Sequence, residues 1–227
     1  MKIVQPKQQL HLREKLLTDG VKALSDTELL AVFISSGSSK RSCFQLASDL
    51  VNHLGDLRAV LNAEPQNFQQ IQGLGAVRYL QLQAVKEICR RSDLISLKKE
   101  STLNNTRQTH AFLKRCLRDK KYETFVGLFL DSQHRVLAYE ELFHGTINSA
   151  SVHPRPIIDR VLKLNAAAVI LAHNHPSGIS DASIEDIAAT DRMRQALDLV
   201  DARLLDHLVI GDNEVYSIMH QAKWICH

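Results

Sequence analysis

The chain has 227 residues, of which 44% are hydrophobic and 23% are charged. These values are ordinary for globular proteins, so composition excludes collagen-like, disulfide-rich and wholly disordered chains. The formal net charge of +3 indicates no partner by itself. Residues 1–103, however, hold 14 Lys and Arg against 10 Asp and Glu, whereas the remaining residues hold 14 against 15. We therefore expect any anionic partner to bind the N-terminal part.

The sequence also limits the location of the protein and the chemistry of any metal site. No apolar run reaches the roughly 20 residues of a membrane helix, and residues 1–6 lack the apolar stretch of a signal peptide. We therefore expect a cytoplasmic protein with no membrane partner. The four cysteines are scattered and form no Cys-x-x-Cys pair, which argues against a disulfide framework or a cysteine zinc site. The 11 histidines are thus the first candidates for metal ligands.

The N-terminal part is predicted to be a bundle of helices. Ser25 and Glu28 form a capping box before an apolar run, and the polar residues 35–39 end that helix. Further helices are predicted over Cys43–His53, Leu57–Asn62, Pro65–Ile71 and Ala76–Arg91. Residues 92–106 are polar and lack a sustained apolar period, as is typical of a linker. We therefore place a domain boundary near residue 103, between domains 1–103 and 104–227.

The C-terminal part is predicted to mix strands with helices. In chain order we expect a helix at Thr109–Arg118, strands at Phe125–Leu130 and Val136–Phe143, a helix at Ile157–Leu164, a strand at Ala166–Ala172, a helix at Ser183–Val200, and strands at Leu204–Ile210 and Val215–Ile218. Such a sequence of elements is typical of an α/β or α+β domain.

The segment 172–186 is the densest cluster of residues with functional chemistry. His173 and His175 lie two apart at a strand end, so their side chains project to the same side. Pro176 and Gly178 favour a turn that folds the next helix back, which lets Asp186 in its first turn supply a third ligand. Two His, one carboxylate and an open fourth position are typical of a catalytic zinc site. Spacing alone leaves ordinary loop histidines and a helix-capping Asp186 equally open.

The complete motif adds a resemblance to a known family. His-x-His-Pro, six residues, then Ser-x-x-Asp resembles the signature of the JAB1/MPN/Mov34 (JAMM) metalloenzymes, and His-Asn-His-Pro-Ser-Gly resembles the bacterial RadC family (UPF0758) in particular. Other segments resemble that family in the right order: residues 13–17, 24–30, 73–75, 145–146, 152–155 and 205–211. The resemblance implies an N-terminal helix-hairpin-helix bundle and a C-terminal, cytidine-deaminase-like JAB/MPN domain in which His173, His175 and Asp186 bind Zn²⁺.

The resemblance also implies roles for two further side chains. JAMM hydrolases use a glutamate upstream of His-x-His that takes a proton from the zinc-bound water and delivers it to the leaving nitrogen. Glu123, which opens a glycine-containing strand, is the predicted residue, and Glu140 and Glu141 are its rivals. Ser183 would by analogy hydrogen-bond the oxyanion.

The chain departs from the RadC pattern at one position. Family members usually have Pro-Arg-Glu where this chain has Pro154, Arg155 and Pro156. If the missing glutamate lies near the metal, catalysis is altered; if it begins a helix, proline is a cheap replacement. We favour the second interpretation. His153 and Arg155 either line a substrate cleft or form an exposed loop.

A second motif suggests nucleic-acid binding. Gly73, Leu74 and Gly75, followed by Arg78, resemble a helix-hairpin-helix element. Its glycines let the backbone approach a phosphate, and N–H groups at the start of the next helix donate to the phosphate oxygens. Such contacts bind DNA independently of sequence and sensitively to salt. The alternative is a tight turn that only packs two helices.

Other catalytic classes lack their motifs here. The deaminase pair His-x-Glu and Pro-Cys-x-x-Cys does not occur, residues 173–175 do not make an HNH nuclease, and Ser217 is in no nucleophile elbow. The principal hypothesis is therefore a zinc-dependent hydrolase of peptide or isopeptide-like bonds. The alternatives are a DNA-binding repair or recombination accessory whose metal domain is structural or acts on DNA-associated substrates, and a metal-binding scaffold without activity.

Overall fold

A computed structural model describes residues 6–38, 40–99, 106–145 and 153–225. The chain forms two compact units, Met1–Cys89 and Arg90–His227. The first is helical and the second contains a mixed sheet, which confirms the predicted change of fold class along the chain. The predicted boundary near residue 103 lies outside the described residues.

The first unit is built from helices whose starts are set by side-chain caps. Its elements are α1 (Pro6–Thr18), a short 3-10 helix (Val21–Ala23), α2 (Asp26–Ile34), α3 (Cys43–Leu54), α4 (Leu57–Leu61), α5 (Pro65–Gln69) and the first part of α6 (Ala76–Lys99). Ser25 caps α2 in the predicted capping box with Glu28, and Ser42 caps α3 in the same way with Gln45. These helices enclose a core that includes the fully buried Leu46.

Helix α6 is longer than the sequence predicted. We expected it to end at Arg91 and a linker to follow, but it continues to Lys99. Leu94 and Leu97 lie three residues apart on one helix face and pack against the core of the second unit, so the linker prediction was wrong for residues 92–99. Among the described residues, no helix combines the length and the apolar character needed to cross a membrane.

The second unit is a six-stranded sheet with helices on both faces. Its elements are the rest of α6, α7 (Thr106–Leu117), β1 (Thr124–Leu130), β2 (Val136–His144), α8 (Pro154–Leu164), β3 (Ala168–Asn174), α9 (Ile184–Asp198), β4 (Arg203–Ile210), β5 (Glu214–Ser217) and β6 (Ala222–Ile225). The strand order is β2-β1-β3-β4-β5-β6. Among the described strands, β3 and β4 pair in parallel, and the other neighbours are antiparallel. Strand β6 was not predicted.

Alternation along the strands divides the core into two layers. Val126 and Leu128 of β1 pack in the cluster that contains α7 residues, whereas Phe125 and Phe129 pack in the cluster that contains residues of α8 and α9. In β3, Leu171 belongs to the second cluster. Because side chains alternate along a strand, residues 173 and 175 are directed to the α9 side, and residue 174 is directed to the α7 side.

The strand register places the end of β1 beside the end of β3. Phe125 lies opposite His173 in the antiparallel ladder, so continuing the register places Glu123 opposite His175. Residues directly opposite each other share a face of the sheet. Because β3 and β4 are parallel, the chain has to return along the sheet before β4 begins, and α9 makes this crossover. The first turn of α9 therefore lies at the carboxyl end of β3. Glu123, both histidines and the start of α9 therefore meet at one sheet edge.

We expect Leu128→Ala to destabilise the second unit by about 2–5 kcal/mol, because it leaves a cavity in a packed core. Leu128 is 0% exposed. Trp224, the single tryptophan of the chain, lies in β6, so its fluorescence during urea denaturation reports unfolding of this unit. The control Leu162→Ala changes a side chain that is 63% exposed and should cost at most about 0.5 kcal/mol. Equal denaturation midpoints for the two variants would contradict the assigned core.

Candidate metal centre

Four side chains converge at the carboxyl end of β3. Glu123, His173, His175 and Asp186 each offer a donor atom, and these atoms all lie within 4.8 Å of one another. The two imidazole Nε2 atoms are 3.1 Å apart. Asp186 Oδ1 lies 3.3 Å from His173 Nε2, and Asp186 Oδ2 lies 3.5 Å from His175 Nε2. The structure thus brings together the three predicted ligands and the predicted glutamate.

The inner three donors fit a tetrahedral metal ion. Ligand bonds of about 2.0–2.1 Å around zinc give tetrahedral edges of about 3.3 Å, and the three measured separations lie at 3.1–3.5 Å. Two neutral imidazole lone pairs at 3.1 Å would repel each other without a cation between them. His173 is 0% and His175 18% exposed, so the group opens to solvent on the side of His175.

Glu123 stands slightly outside this inner group. Its Oε1 lies 3.9 Å from His173 Nε2 and 3.8 Å from His175 Nε2. Its side chain is 14% exposed, on the same face of the sheet as both histidines. The carboxylate is therefore next to the inner donors without being equally close to them, a position suited to a group that acts on a neighbouring molecule.

A tight turn carries the chain from β3 to α9. The N–H of His175 donates to Ile210 O at 3.1 Å, and the N–H of Gly178 donates to His175 O at 2.9 Å. Gly178 has a φ of +80°, which glycine adopts without strain. The turn predicted at Pro176 and Gly178 is therefore present, and it returns the chain toward the sheet edge.

The tautomer of His175 is set by the same turn. Its Nδ1 lies 2.9 Å from Ile179 O. A carbonyl oxygen only accepts hydrogen bonds, so Nδ1 carries the hydrogen. In the neutral ring, Nε2 then has a free lone pair directed at the cluster.

A buried chain of hydrogen bonds sets the tautomer of His173. Thr190 Oγ1 donates to Asp186 O at 2.6 Å, so it accepts from His207 Nδ1 at 2.6 Å. His207 Nε2 then accepts from His173 Nδ1 at 2.9 Å, which leaves the Nε2 lone pair of His173 free. Burial lowers the pKa of His207 well below its usual value, which keeps that ring neutral, as this chain requires. The Phe125 ring stacks at 7° to the His173 ring and helps to fix its plane.

Asp186 is held by the predicted capping box. Ser183 donates to Asp186 Oδ2 from its N–H at 2.8 Å and from its hydroxyl at 2.6 Å, and the N–H of Asp186 donates to Ser183 Oγ at 3.1 Å. Burial opposes ionisation of Asp186, but the neighbouring His173 and His175 rings hold its pKa well below the usual range. Asp186 in turn raises the pKa of His175. The capping box and the metal-ligand arrangement are thus compatible, because Oδ1 remains directed at His173.

Comparison with known proteins identifies the family. Residues 103–224 match the family model described as RadC-like JAB domain, and residues 3–80 match the model described as UPF0758 N-terminal. The chain belongs to the UPF0758 family. A UPF0758 protein of Legionella pneumophila (strain Corby) is 69% identical over 226 residues, 100% of both chains. A UPF0758 protein of Thioalkalivibrio sulfidiphilus (strain HL-EbGR7) is 51% identical over 203 residues, 89% of this chain and 91% of its own.

Within this UPF0758 chain, the other predicted site residues of the JAB domain lie apart from the cluster. Glu140 pairs with Arg160, and Glu141 pairs with Lys120 at 2.9 Å, so neither rival replaces Glu123. Pro156 is the third residue of α8, where the N–H has no partner within the helix. This position supports the view that proline replaces the usual glutamate at little cost. The neighbouring His153 and Arg155, proposed to line a cleft, are both exposed.

Three of the predicted DNA-binding residues, Gly73, Leu74 and Gly75, lie in the turn between α5 and α6, and Arg78 lies in the first turn of α6. Gly73 has a φ of +101°, and Leu74 is buried, whereas Gly75 is exposed. The Arg78 guanidinium donates to the carbonyl oxygens of Gly73 and Ser36. The contacts of Gly73, Leu74 and Arg78 thus stabilise the helical unit itself, and DNA binding by this turn stays a prediction.

His207 and Thr190 were not identified from the sequence. His207 follows Asp206 in a strand, and Thr190 is one of several small residues in α9. No local pattern connects them to the His-x-His motif. Only the parallel pairing of β3 with β4, in which Leu171 lies opposite His207, brings His207 next to His173.

We expect Thr190→Val to weaken binding of a divalent metal by about 10- to 100-fold, because His207 loses its acceptor and His173 loses its fixed tautomer. The affinity is measured by competition with a chromophoric chelator. Thr109→Val changes another buried threonine, on α7 at the opposite face of the sheet, and should leave the affinity unchanged. Equal affinities for wild type and Thr190→Val would contradict the role of this hydrogen-bond chain.

Proposed function

We propose that the JAB domain of this UPF0758 protein is a zinc-dependent hydrolase of amide or isopeptide bonds. The observation that carries the proposal is the convergence of two imidazole nitrogens and one carboxylate within 3.1–3.5 Å, with a second carboxylate at 3.8–3.9 Å. Three protein donors of these types leave a fourth position for solvent or substrate, which is typical of catalytic rather than structural zinc.

The donor set supports zinc among the common metals. Imidazole nitrogen suits zinc, whereas Mg²⁺ and Ca²⁺ prefer shells made only of oxygen ligands. His173, His175 and Asp186 would hold the ion, and both histidines already offer Nε2 lone pairs. When bound, zinc would lower the pKa of a coordinated water to about 7 and polarise the scissile carbonyl.

Glu123 would transfer the proton during hydrolysis. Its carboxylate takes a proton from the attacking water, whose oxygen bonds to the carbonyl carbon. The same proton then passes to the amide nitrogen as the carbon–nitrogen bond breaks, because an unprotonated amine anion is a poor leaving group. The second proton of the water also ends on the amine, so the products are a carboxylate and a protonated amine, and the reaction needs no further co-reactant.

Ser183 would stabilise the oxyanion that forms on the carbonyl oxygen. Its hydroxyl donates to Asp186 Oδ2 at 2.6 Å in the structure. To donate to the oxyanion, the hydroxyl hydrogen has to rotate away from Asp186, whose Oδ2 retains the bond from the Ser183 N–H at 2.8 Å. The capping contact is thereby kept while the hydroxyl acts.

The substrate would be a peptide or a protein conjugate with an accessible amide bond. The partly exposed His175 marks the open side of the cluster, so a bond presented at a protein surface could reach it. The contacts favour this hydrolase over the DNA-binding alternative, because the Arg78 guanidinium, the cation assigned to DNA, donates to two carbonyl groups of its own unit.

We expect the purified wild-type chain, produced without a chelating tag, to contain about one zinc ion. His173→Ala and Asp186→Ala each remove a donor and should lose the metal while remaining folded. Elemental analysis measures the metal content, and circular dichroism checks the fold. A wild-type chain that stays empty in excess zinc would overturn the proposal.

We expect Glu123→Gln to retain zinc and to lose hydrolysis by about 10²- to 10⁴-fold, because glutamine cannot accept the proton. The assay uses a library of fluorogenic peptide amides and lysine isopeptides with the zinc-loaded enzyme. Glu141→Gln is the matched control, since it makes the same change in a carboxylate outside the cluster and should keep full activity. Full activity of Glu123→Gln would exclude Glu123 as the proton acceptor.

A further inference from the structure

Asn174, between the two histidines of the His-x-His motif, has contacts of its own. It is 0% exposed, and alternation along β3 directs its side chain away from the metal cluster, toward the α7 side of the sheet. Its side-chain amide forms hydrogen bonds with Lys120 and Tyr122, between α7 and β1, and with Thr124, the first residue of β1.

These hydrogen bonds continue the sheet beyond the end of the backbone ladder. The pairing of β1 with β3 ends at Phe125 and His173. One residue further, the N–H of Thr124 donates to the side-chain Oδ1 of Asn174 at 2.8 Å. The Nδ2 group of Asn174 donates to Lys120 O at 3.1 Å and Tyr122 O at 3.3 Å. One amide thus binds the backbone on both sides of Glu123.

The opposite side of this segment is held by the residue that directly follows β2. The N–H of Gly145 donates to Glu123 O at 2.9 Å. Glu123 O is therefore held by a main-chain bond on one side, and the residues directly before and after Glu123, Tyr122 and Thr124, are held by the Asn174 side chain on the other. Without the Asn174 side chain, the segment of Glu123 would lose three hydrogen bonds to the strand that carries His173.

We infer that Asn174 is a positioning residue for Glu123, which holds the Glu123 carboxylate at a fixed distance from the metal cluster. The inference rests on the proposed function in so far as Glu123 is the proton acceptor. Asparagine suits the task because its side chain offers one acceptor and two donors. An aspartate would keep the bond from Thr124 but would direct a charged oxygen at the carbonyl groups of Lys120 and Tyr122.

The first test needs no substrate and uses Co²⁺ as the probe in place of zinc. The visible absorption of bound Co²⁺ depends on groups close to the ion, so Glu123→Gln should change the spectrum. We expect Asn174→Ala and Asn174→Asp each to change it too, with about one Co²⁺ still bound per chain. Added to Glu123→Gln, either substitution should have no further effect, because the two residues act as one unit.

Two controls separate positioning from a general loss of stability. Ser217→Ala removes a buried hydrogen bond to Asp206, outside the Asn174 contacts, and should leave the Co²⁺ spectrum unchanged although it lowers the urea midpoint. Asn174→Asp keeps the side-chain volume, so it supplies the answer if Asn174→Ala does not fold. An unchanged spectrum in the Asn174 variants, an additive change in the double variants, or loss of Co²⁺ would overturn the inference.

The second test uses the probe amides that wild type cleaves. Asn174→Ala should lower kcat by about 10²-fold, as expected for a displaced catalytic group, and change KM little. It should lower kcat no further in the Glu123→Gln background. Wild type that cleaves no probe, together with the expected Co²⁺ spectra, would refute the proposed hydrolase and leave the positioning of Glu123 intact.

Discussion

In the antiparallel ladder between β1 and β3, Phe125 lies opposite His173, and the geometry of the candidate site depends on this register. It places Glu123 beside His175 on one face of the sheet and Thr124 beside Asn174 on the other. Asp186 joins because α9 starts where β3 ends. The cluster therefore depends on sheet pairing and one helix crossover, which are rigid elements of the fold.

Buried hydrogen bonds prepare the donor atoms on this frame. His173, His207 and Thr190 form a chain in which each ring nitrogen has one defined role, and His175 is fixed by a carbonyl group. Burial keeps the pKa of His207 low, so the chain needs no charge in the core. Folding already orders these rings, so a ligand binds without a further loss of their conformational entropy. Preorganisation of this kind increases affinity.

Much of this could be predicted from the sequence, because the informative patterns are local. The His-x-His spacing, the turn at Pro176 and Gly178, and the capping box of Ser183 all lie within fourteen consecutive residues, 173–186. The roles of His207 and Asn174 could not be predicted, since they depend on which strands are neighbours. The length of α6 was also missed, because residues 92–99 are mostly polar, and their few apolar side chains do not show from the sequence alone that Leu94 and Leu97 pack in the second unit.

The alternation along β3 has a consequence for how such a site can change in evolution. The side chains on one face of β3 belong to the metal cluster, and the Asn174 side chain on the other face holds the Glu123 segment. Inserting or deleting a single residue within the strand would exchange the faces, turning both imidazoles toward α7 and the amide toward α9. Such a change would disrupt the metal cluster and the attachment of the Glu123 segment at once. We therefore expect evolution to tolerate substitutions in β3 and changes in the surrounding loops, but no insertion or deletion within the strand.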